Sequence, residues 1–317
     1  MSFISNCTAS TIKDAATSLI NGDLVAFPTE TVYGLGADAG NEMAVKKIYL
    51  VKGRPSDHPL IVHISNLKQL DKWAREIPEY AIKLARSFWP GPMTLILPRT
   101  QLAKDFITGG QDNVGIRIPD QTLALALLSE FEQQGGMGVA APSANRFGKV
   151  SPTTAKAVEQ ELGGYLSGKD LILDGGQCEV GVESTIIDCT TQTPIILRPG
   201  AITHLMIKDA TGIEPDATNK VDTKASGLLE SHYAPAAKVI LDQTPQAGDG
   251  FIALSNIKTP QGVIRLAEPK NNTEYAKVLY QALRSADAQQ IKTVHAHLPT
   301  GDDIAQAIRD RLSKSAK

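Results

Sequence analysis

Two short polar segments of this chain carry side chains that could bind a polyphosphate. Lys52-Gly53-Arg54-Pro55 places two cations two residues apart, and Pro142-Ser143-Ala144-Asn145 places a hydroxyl and an amide at the same spacing. Cations neutralise phosphate charge, whereas hydroxyl and amide groups orient phosphate oxygens and their metal ion. Neither segment has the glycine pattern of a P-loop, so the sequence points away from the common nucleotide-binding folds.

Each of the isolated charged or titratable side chains leaves two interpretations open. Lys52 and Arg54 follow a helical pattern, where cations also serve as a simple cap that the helix dipole favours. Arg117 stands between two isoleucines and therefore faces away from them on a strand, where it could clamp a carboxylate or form a structural ion pair. His63 lies in an apolar strand, where a lone histidine is more often a core residue than a ligand.

The composition indicates a globular protein whose net charge is close to zero. The chain has 317 residues, of which 42% are apolar and 21% charged, and its formal net charge is -2. This charge gives no global reason to bind nucleic acid, although a local basic cleft remains open. Three cysteines without a CxxC pair favour a reducing compartment. We find no leader-like or membrane-spanning pattern, so we expect a cytoplasmic protein that makes no membrane contact.

The first two thirds of the chain alternate between strand and helix patterns. Short apolar runs that end at turn residues predict strands at 24–27, 60–64, 94–97, 115–118, 138–141, 171–173, 185–187 and 195–197. Amphipathic patterns predict helices at 41–51, 78–88, 120–133 and 153–163. Strands that are separated sometimes by helices and sometimes by turns are typical of an α/β domain with a mixed sheet.

A change of composition separates this part from the C-terminal tail. Residues 208–235 are rich in polar residues and glycine, which predicts a linker. The tail that follows has strand patterns at 238–241, 250–254 and 262–265 and helical patterns at 273–289 and 302–314. A small second α/β domain is therefore expected at 236–317.

The order of the short motifs resembles one known family, the YrdC-like L-threonylcarbamoyladenylate synthases, in its longer two-domain type. The motifs that carry this resemblance are FPTETVYGLGA at 27–37, KGRP at 52–55, PLIVHI at 59–64, PGPMT at 90–94, RIP at 117–119, APSAN at 141–145, SPT at 151–153, DGG at 174–176, GVESTIID at 181–188, LRPG at 197–200 and HYAP at 232–235. They cover residues 10–207 and reach into the linker. The chain departs from the family at His58, where asparagine is common, and at Ser231, which takes the place of an arginine.

The resemblance implies a fold and a division into domains. A YrdC-like twisted open mixed sheet with helices is expected at 1–207, followed by a linker at 208–235 that crosses the active site. The tail at 236–317 is expected to form a small Rossmann-like α/β domain. In the longer members the linker acts as a lid, which would protect an intermediate that water destroys easily.

The resemblance also implies a reaction. L-threonine, bicarbonate and ATP, with Mg²⁺, yield threonylcarbamoyl-AMP and pyrophosphate, which makes the chain an ATP-dependent nucleotidyltransferase. A partner transferase machinery then moves the threonylcarbamoyl group to the adenosine beside the anticodon of tRNA. Direct RNA binding by this chain is a further option.

Residue by residue, the family motifs imply three sets of site residues. The catalytic set is Lys52, Arg54, Ser143 and Asn145. The threonine-binding set is Thr31, His63, Arg117, Ala141 and Ser184. The ATP-binding set is Arg54, His58, Asn113, Ser143, Ser151, Arg198, His232 and Tyr233. No protein side chain is expected to hold the metal by itself, because Mg²⁺ would be bound through the ATP phosphates.

An RNA-binding or regulatory module on the same fold is the alternative function. It would use a basic concave cleft, but backbone binding alone does not require a serine and an asparagine at this spacing. The combination of Lys52, Arg54, Ser143 and Asn145 therefore favours the enzyme. A carbamoyltransferase of the hydrogenase-maturation type lacks support, since the chain has no CxxC pairs.

Overall fold

The structure is a computed structural model that describes residues 3–6, 8–216, 223–225, 227 and 233–316. Ten strands form the larger sheet, in the order β1-β8-β2-β3-β7-β4-β6-β5-β9-β10. In chain order they are β1 (Ile4–Asn6), β2 (Val25–Phe27), β3 (Gly34–Asp38), β4 (Ile61–His63), β5 (Met93–Pro98), β6 (Asn113–Arg117), β7 (Val139–Ala140), β8 (Leu171–Asp174), β9 (Thr185–Asp188) and β10 (Ile195–Arg198). Parallel and antiparallel pairs both occur in it, as expected for a mixed sheet.

Helices cover both faces of this sheet. They are α1 (Ala9–Ile20), α2 (Glu42–Lys52), α3 (Leu70–Trp73), α4 (Glu79–Phe88), α5 (Asp105–Thr108), α6 (Thr122–Gln133), α7 (Ala155–Leu162) and α8 (His204–Thr211), with a 3-10 turn at Leu67–Gln69. The side chains of Thr8, Asn41 and Thr154 accept hydrogen bonds from the first turns of α1, α2 and α7. The first backbone N–H groups of a helix have no partner within the helix, and these caps accept hydrogen bonds from them. The three capping residues therefore mark where the three helices begin.

The core forms two apolar layers, one on each side of the larger sheet. Val25 and Phe27 of β2 pack into the layer beneath α1 and α6, whereas Ala26 packs into the layer on the opposite face. Successive residues of a strand point to opposite faces. A fully apolar strand such as β2 is therefore the expected sequence for a sheet that is covered on both sides.

The register of the sheet brings several sequence motifs to one edge. β4 and β6 are parallel neighbours, and His63 pairs with Arg117 at the last position of both strands. A bridge between Gly34 and Ser143 joins the first residue of β3 to the loop after β7. As a result, side chains from four separate motifs converge at the ends of these strands.

A second sheet forms the C-terminal domain. Its four strands lie in the order β11-β14-β12-β13 and are all parallel, namely β11 (Lys238–Leu241), β12 (Gly250–Ile252), β13 (Ile264–Ala267) and β14 (Thr293–Ala296). Two helices accompany them, α9 (Asn272–Ala288) and α10 (Ala305–Ser315). The predicted fold class, a mixed α/β sheet followed by a small α/β domain, is confirmed.

The segment between the two sheets differs from the predicted linker at its start. Helix α8 continues to Thr211, and Asp216 pairs with Ile195 beside the edge strand β10. The fold that begins in the first domain therefore extends past residue 207, where sequence composition had suggested a boundary. Ser231 and His232 lie outside the described residues. Within the described part of the chain, no helix is long and apolar enough to cross a membrane.

Candidate active site

A pocket at this edge of the larger sheet collects most of the predicted site residues. Its wall also contains Gly227 and Tyr233 from the segment that leads to the C-terminal domain. Eleven predicted residues line it, which are Thr31, Lys52, Arg54, His63, Arg117, Ala141, Ser143, Asn145, Ser184, Arg198 and Tyr233. All four residues of the predicted catalytic set are among them.

Lys52 is a buried cation that two backbone carbonyls hold in place. It is the last residue of α2, which ends because Gly53 adopts the left-handed conformation with φ 61°. Its Nζ donates to the carbonyl oxygens of Ser143 at 2.6 Å and Asn145 at 2.5 Å. Burial, and then the nearby charge of Arg54, lower the pKa of Lys52 well below its usual range. An anion bound here would favour the charged ammonium, so the site is matched to a negatively charged ligand.

Arg54 is the second buried cation of the pocket. Its Nη2 donates to the carbonyl of Pro59 at 3.0 Å, and its guanidinium carbon lies 5.8 Å from the centre of the Phe147 ring. Burial lowers the pKa of Arg54 to about 10, which still leaves the group charged at neutral pH. Two cations on one wall are suited to a ligand that carries several negative charges, such as a polyphosphate.

The amide of Asn145 has a fixed orientation. Its Nδ2 donates to the carbonyls of Arg146 and Lys149, each at 2.8 Å. Its Oδ1 is buried and has no hydrogen-bond partner among the described residues. Because both amide protons are used, the free oxygen is available as an acceptor or as a ligand for a hard cation.

Arg117 forms an ion pair and keeps donors for a ligand. Its Nη2 lies 2.7 Å from Oε1 of Glu30, and both side chains are buried. Its Nε is also buried and makes no hydrogen bond to any described residue. Of the two interpretations that the sequence left open, the structural ion pair is present, and the remaining donor still allows a carboxylate clamp.

Ser184 and Arg198 form a connected part of the wall. Oγ of Ser184 lies 2.8 Å from Oγ1 of Thr94, and Nε and Nη2 of Arg198 donate to the Ser184 carbonyl at 3.0 and 2.9 Å. Nη2 of Arg198 also donates to Oγ of Ser184 at 3.1 Å, so Thr94 and Arg198 together give the hydroxyl a defined position in the pocket.

His63 is a core residue that also lines the pocket. Its ring packs edge-on against Phe27 at 5.8 Å, as a core residue does, and it also lines the pocket. Burial, and then the charge of Arg117, lower the pKa of His63 to about 3. The imidazole is therefore neutral at physiological pH and could share a hydrogen bond with a ligand without adding charge.

This depressed pKa gives a testable dependence of stability on pH. The pKa of His63 is about 3 in the folded protein against an ordinary value of 6.5, so between these pH values the unfolded chain binds the additional proton. We expect burial of His63 to lower the free energy of unfolding by several kcal/mol as the pH falls from 6.5 towards 3. Above pH 6.5, its protonation should have no effect on stability. As the pH falls across this range, the free energy of unfolding of wild type should decrease relative to that of His63→Gln, which has no imidazole to protonate. Parallel curves would contradict the expectation.

Three described residues of the predicted ATP-binding set, His58, Asn113 and Ser151, do not line this pocket. His58 packs edge-on against Phe147, a pocket residue, at 5.3 Å. Ser151 donates to Oε1 of Glu183 at 2.6 Å, which places it behind the wall. Asn113 stands at the start of β6, four residues before Arg117, and does not line the pocket. His232 lies outside the described residues.

Two carboxylates at this site were not among the predicted site residues. Glu30 is the partner of Arg117, and Glu183 lines the pocket while it accepts from Ser151. Although burial opposes ionisation, Arg311 and Arg198 lower the pKa of Glu183 to about 2, so it stays charged. Both lie inside the quoted motifs, and a buried arginine that needs an anionic partner is the signal that could have identified them.

The fold and the pocket define a two-domain α/β protein with a buried, cation-lined ligand site at one edge of its larger sheet. Residues 17–200 match the family described as "Telomere recombination", and residues 202–317 match the family described as "Threonylcarbamoyl-AMP synthase, C-terminal domain".

Relatives and solved structures agree with these matches. The chain is 40% identical to the threonylcarbamoyl-AMP synthase of Bacillus subtilis over 96% of this chain and 92% of the relative. It is 48% identical to that of Pyrococcus abyssi over 74% of this chain and 68% of the relative. The structure of P. abyssi Sua5 complexed with L-threonine superposes with a TM-score of 0.88, at 38% identity, over 99% of this chain and 98% of that one. The chain belongs to the threonylcarbamoyl-AMP synthase family and is an ATP-dependent transferase, as the motifs had indicated.

Proposed function

We propose that this pocket makes threonylcarbamoyl-AMP and pyrophosphate from L-threonine, bicarbonate and ATP. One observation carries the proposal. Lys52 is hydrogen-bonded to the carbonyls of Ser143 and Asn145, and it lies with Arg54 and Arg117 in the wall of a single pocket. That arrangement offers one group for a substrate carboxylate and two cations for phosphates.

The chemistry explains why the pocket is cationic. The threonine amine and bicarbonate form a carbamate and release water. A carbamate oxygen then attacks the α-phosphorus of ATP, the bond from that phosphorus to the bridging oxygen breaks, and pyrophosphate leaves. Because both reacting groups are anions, Lys52 and Arg54 would stabilise the charge that accumulates when they meet. Most of the rate enhancement would come from positioning and electrostatics, since no covalent enzyme intermediate is required.

The threonine subsite would lie around Arg117. Its remaining donors would bind the substrate carboxylate, while Thr31, His63, Ala141 and Ser184 would surround the amine and the side chain. A neutral His63 suits this role, because a second positive charge near the amine would oppose substrate binding.

The ATP subsite would include Arg54, Ser143, Arg198 and Tyr233 directly. His58 and Ser151 would act through Phe147 and Glu183, the pocket residues that they contact. For Asn113 and His232, a role in ATP binding remains a prediction from the family motifs.

Mg²⁺ would enter with ATP. Oδ1 of Asn145 is a hard oxygen donor with no other partner among the described residues, so it fits a phosphate-bound Mg²⁺ or one of its waters. No group of three or more His, Cys, Asp or Glu side chains suited to a metal occurs among the described residues. When bound, the ion would supply positive charge at the phosphates, and Asn145 would orient it.

The product would pass to a transferase machinery that modifies tRNA beside the anticodon, in the cytoplasm. Direct RNA binding by this chain is a separate prediction. If phosphate contacts dominated it, the affinity would fall steeply with salt.

The test is pyrophosphate release from ATP by the pure protein with bicarbonate, with and without L-threonine. We expect release that depends on both threonine and bicarbonate and that is accompanied by threonylcarbamoyl-AMP. Pyrophosphate release that ignores threonine would overturn the proposed reaction. RNA binding at low salt without threonine-dependent turnover would instead favour the RNA-binding alternative.

A further inference from the structure

The C-terminal domain reaches the pocket through helix α10. Oγ of Ser315 donates to the carbonyl of Tyr233 at 3.0 Å, and Nζ of Lys314 donates to the carbonyl of Gly227 at 2.9 Å. Gly227 and Tyr233 both line the pocket. One turn of α10 thus holds two wall residues that come from the segment between the domains.

Arg311, on the same helix, contacts a third residue of the pocket wall, Glu183. It is fully buried, and its Nε donates to Oε2 of Glu183 at 2.9 Å. Its guanidinium carbon lies 5.4 Å from the centre of the Tyr233 ring. Tyr280 of α9 donates to the same Glu183 oxygen at 2.8 Å and stacks on Tyr233 with ring centres 5.7 Å apart. Arg311 and Tyr280 therefore each contact both Glu183 and Tyr233.

The packing around Tyr233 leaves its ring little freedom. A Cβ atom added to Gly227 would lie 2.2 Å from the Tyr233 hydroxyl oxygen and 3.0 Å from Nη1 of Arg198. This close approach requires a glycine. A shift of Tyr233 would therefore disturb Gly227 and Arg198, which both line the pocket.

We propose that Arg311, Lys314 and Ser315, here called the α10 clamp, are positioning residues that fix Tyr233 and Glu183 in the wall of the active site. The proposal rests on the proposed function, and it assigns the C-terminal domain a part in substrate binding. Burying an arginine and a glutamate costs desolvation, and apolar residues of similar volume often stabilise a fold at least as well. Stability alone therefore does not explain these polar residues. Because they contact residues of the pocket wall, their role is better explained as holding those residues in position.

The test uses Lys314 and Ser315, which contact the segment between the domains, because truncating the buried Arg311 could unfold the protein by leaving Glu183 without its partner. The double variant Lys314→Met and Ser315→Ala removes the donors to the carbonyls of Gly227 and Tyr233. Within α10, Lys314 also pairs with Asp310, and the Ser315 hydroxyl also lies 2.8 Å from the carbonyl of Arg311. Each hydrogen bond to the segment is worth about 1 kcal/mol, so if this energy holds Tyr233 in place, the KM for ATP should rise about tenfold or more. The KM for threonine should change less, since Arg117 and Glu30 do not contact the clamp.

Lys277→Met is the matched control. Nζ of Lys277 lies 2.9 Å from Oε2 of Glu179, so this variant also breaks a contact between the domains but touches neither Gly227 nor Tyr233. We expect its KM for ATP to equal that of wild type. An equal rise in both variants would overturn the proposal, because it would show a general loosening of the domain interface. Arg311→Lys, which keeps the charge but loses the guanidinium fork, should fall between wild type and the double variant.

Hydrogen exchange separates this proposal from the proposed reaction. The amide of Ala234 donates to the carbonyl of Gly148 at 2.9 Å, so its exchange reports how firmly the residue beside Tyr233 is held. Without substrates, peptides that contain Tyr233 and Ala234 should exchange about tenfold faster in the double variant than in wild type or Lys277→Met. Unchanged exchange would overturn the proposal even if the enzyme turns over as expected. Faster exchange in a protein without threonine-dependent turnover would count against the proposed function alone.

Discussion

Lys52→Met is expected to lower threonine-dependent pyrophosphate release at saturating substrates by a factor of at least about 10². Removing one preorganised donor from a site where charge develops typically costs a factor of about 10²–10³ in turnover. Lys52 meets that description, because two carbonyls hold its ammonium in place and burial screens it from water. The measurement is initial-rate pyrophosphate release at saturating ATP, bicarbonate and threonine.

The matched control for Lys52→Met is Lys46→Met on the same helix. Lys46 pairs with Glu42 across one helical turn and points to solvent, and exposed pairs of this kind contribute little. Its activity should equal that of wild type. Stability must be measured in parallel, since losing Lys52 leaves the carbonyls of Ser143 and Asn145 without their donor. If Lys52→Met retained wild-type turnover, Lys52 would be a structural helix end and the electrostatic role would be wrong.

The strands that position the site could be predicted from the sequence where they are apolar and bounded by turn residues. β4 and β6 are of this kind, and the predicted runs at 60–64 and 115–118 overlap them. β3 was not predicted, because Gly34 to Asp38 contains no β-branched residue. The requirement for a glycine at position 36 becomes evident only in the folded structure. A Cβ there would lie 2.8 Å from Cγ1 of Val139 and 2.9 Å from Cε1 of Phe27.

Motifs alone predicted eleven residues that line one pocket, but the partners of these residues could not be predicted. Glu183 and Arg311 are separated by 128 positions, and nothing in the local sequence of either one indicates the other. The tail strand β14 was missed for a related reason. It is short, contains a histidine, and becomes a central strand only through pairing with β11 and β12. Contacts of this kind depend on tertiary packing, which local patterns do not contain.

Arg117→Gln is expected to raise the threonine concentration required for half-maximal turnover by a factor of about 10²–10³. Truncating one member of a buried, hydrogen-bonded charge contact costs about 2–5 kcal/mol, and each 1.4 kcal/mol is a factor of ten. The KM for ATP should change much less, because the phosphates are assigned to Lys52 and Arg54. Steady-state kinetics with threonine varied at saturating ATP measures the effect.

The ion pair between Arg117 and Glu30 supplies the control for Arg117→Gln. Arg117→Gln leaves a buried carboxylate uncompensated, which should destabilise the fold by about 3–5 kcal/mol. In the double variant Glu30→Gln and Arg117→Gln, both charges are absent, so most of that stability should return. Threonine binding should not return with it, because the guanidinium that would hold the substrate carboxylate is still missing. Recovery of both stability and threonine affinity in the double variant would mean that Arg117 acts only as the partner of Glu30.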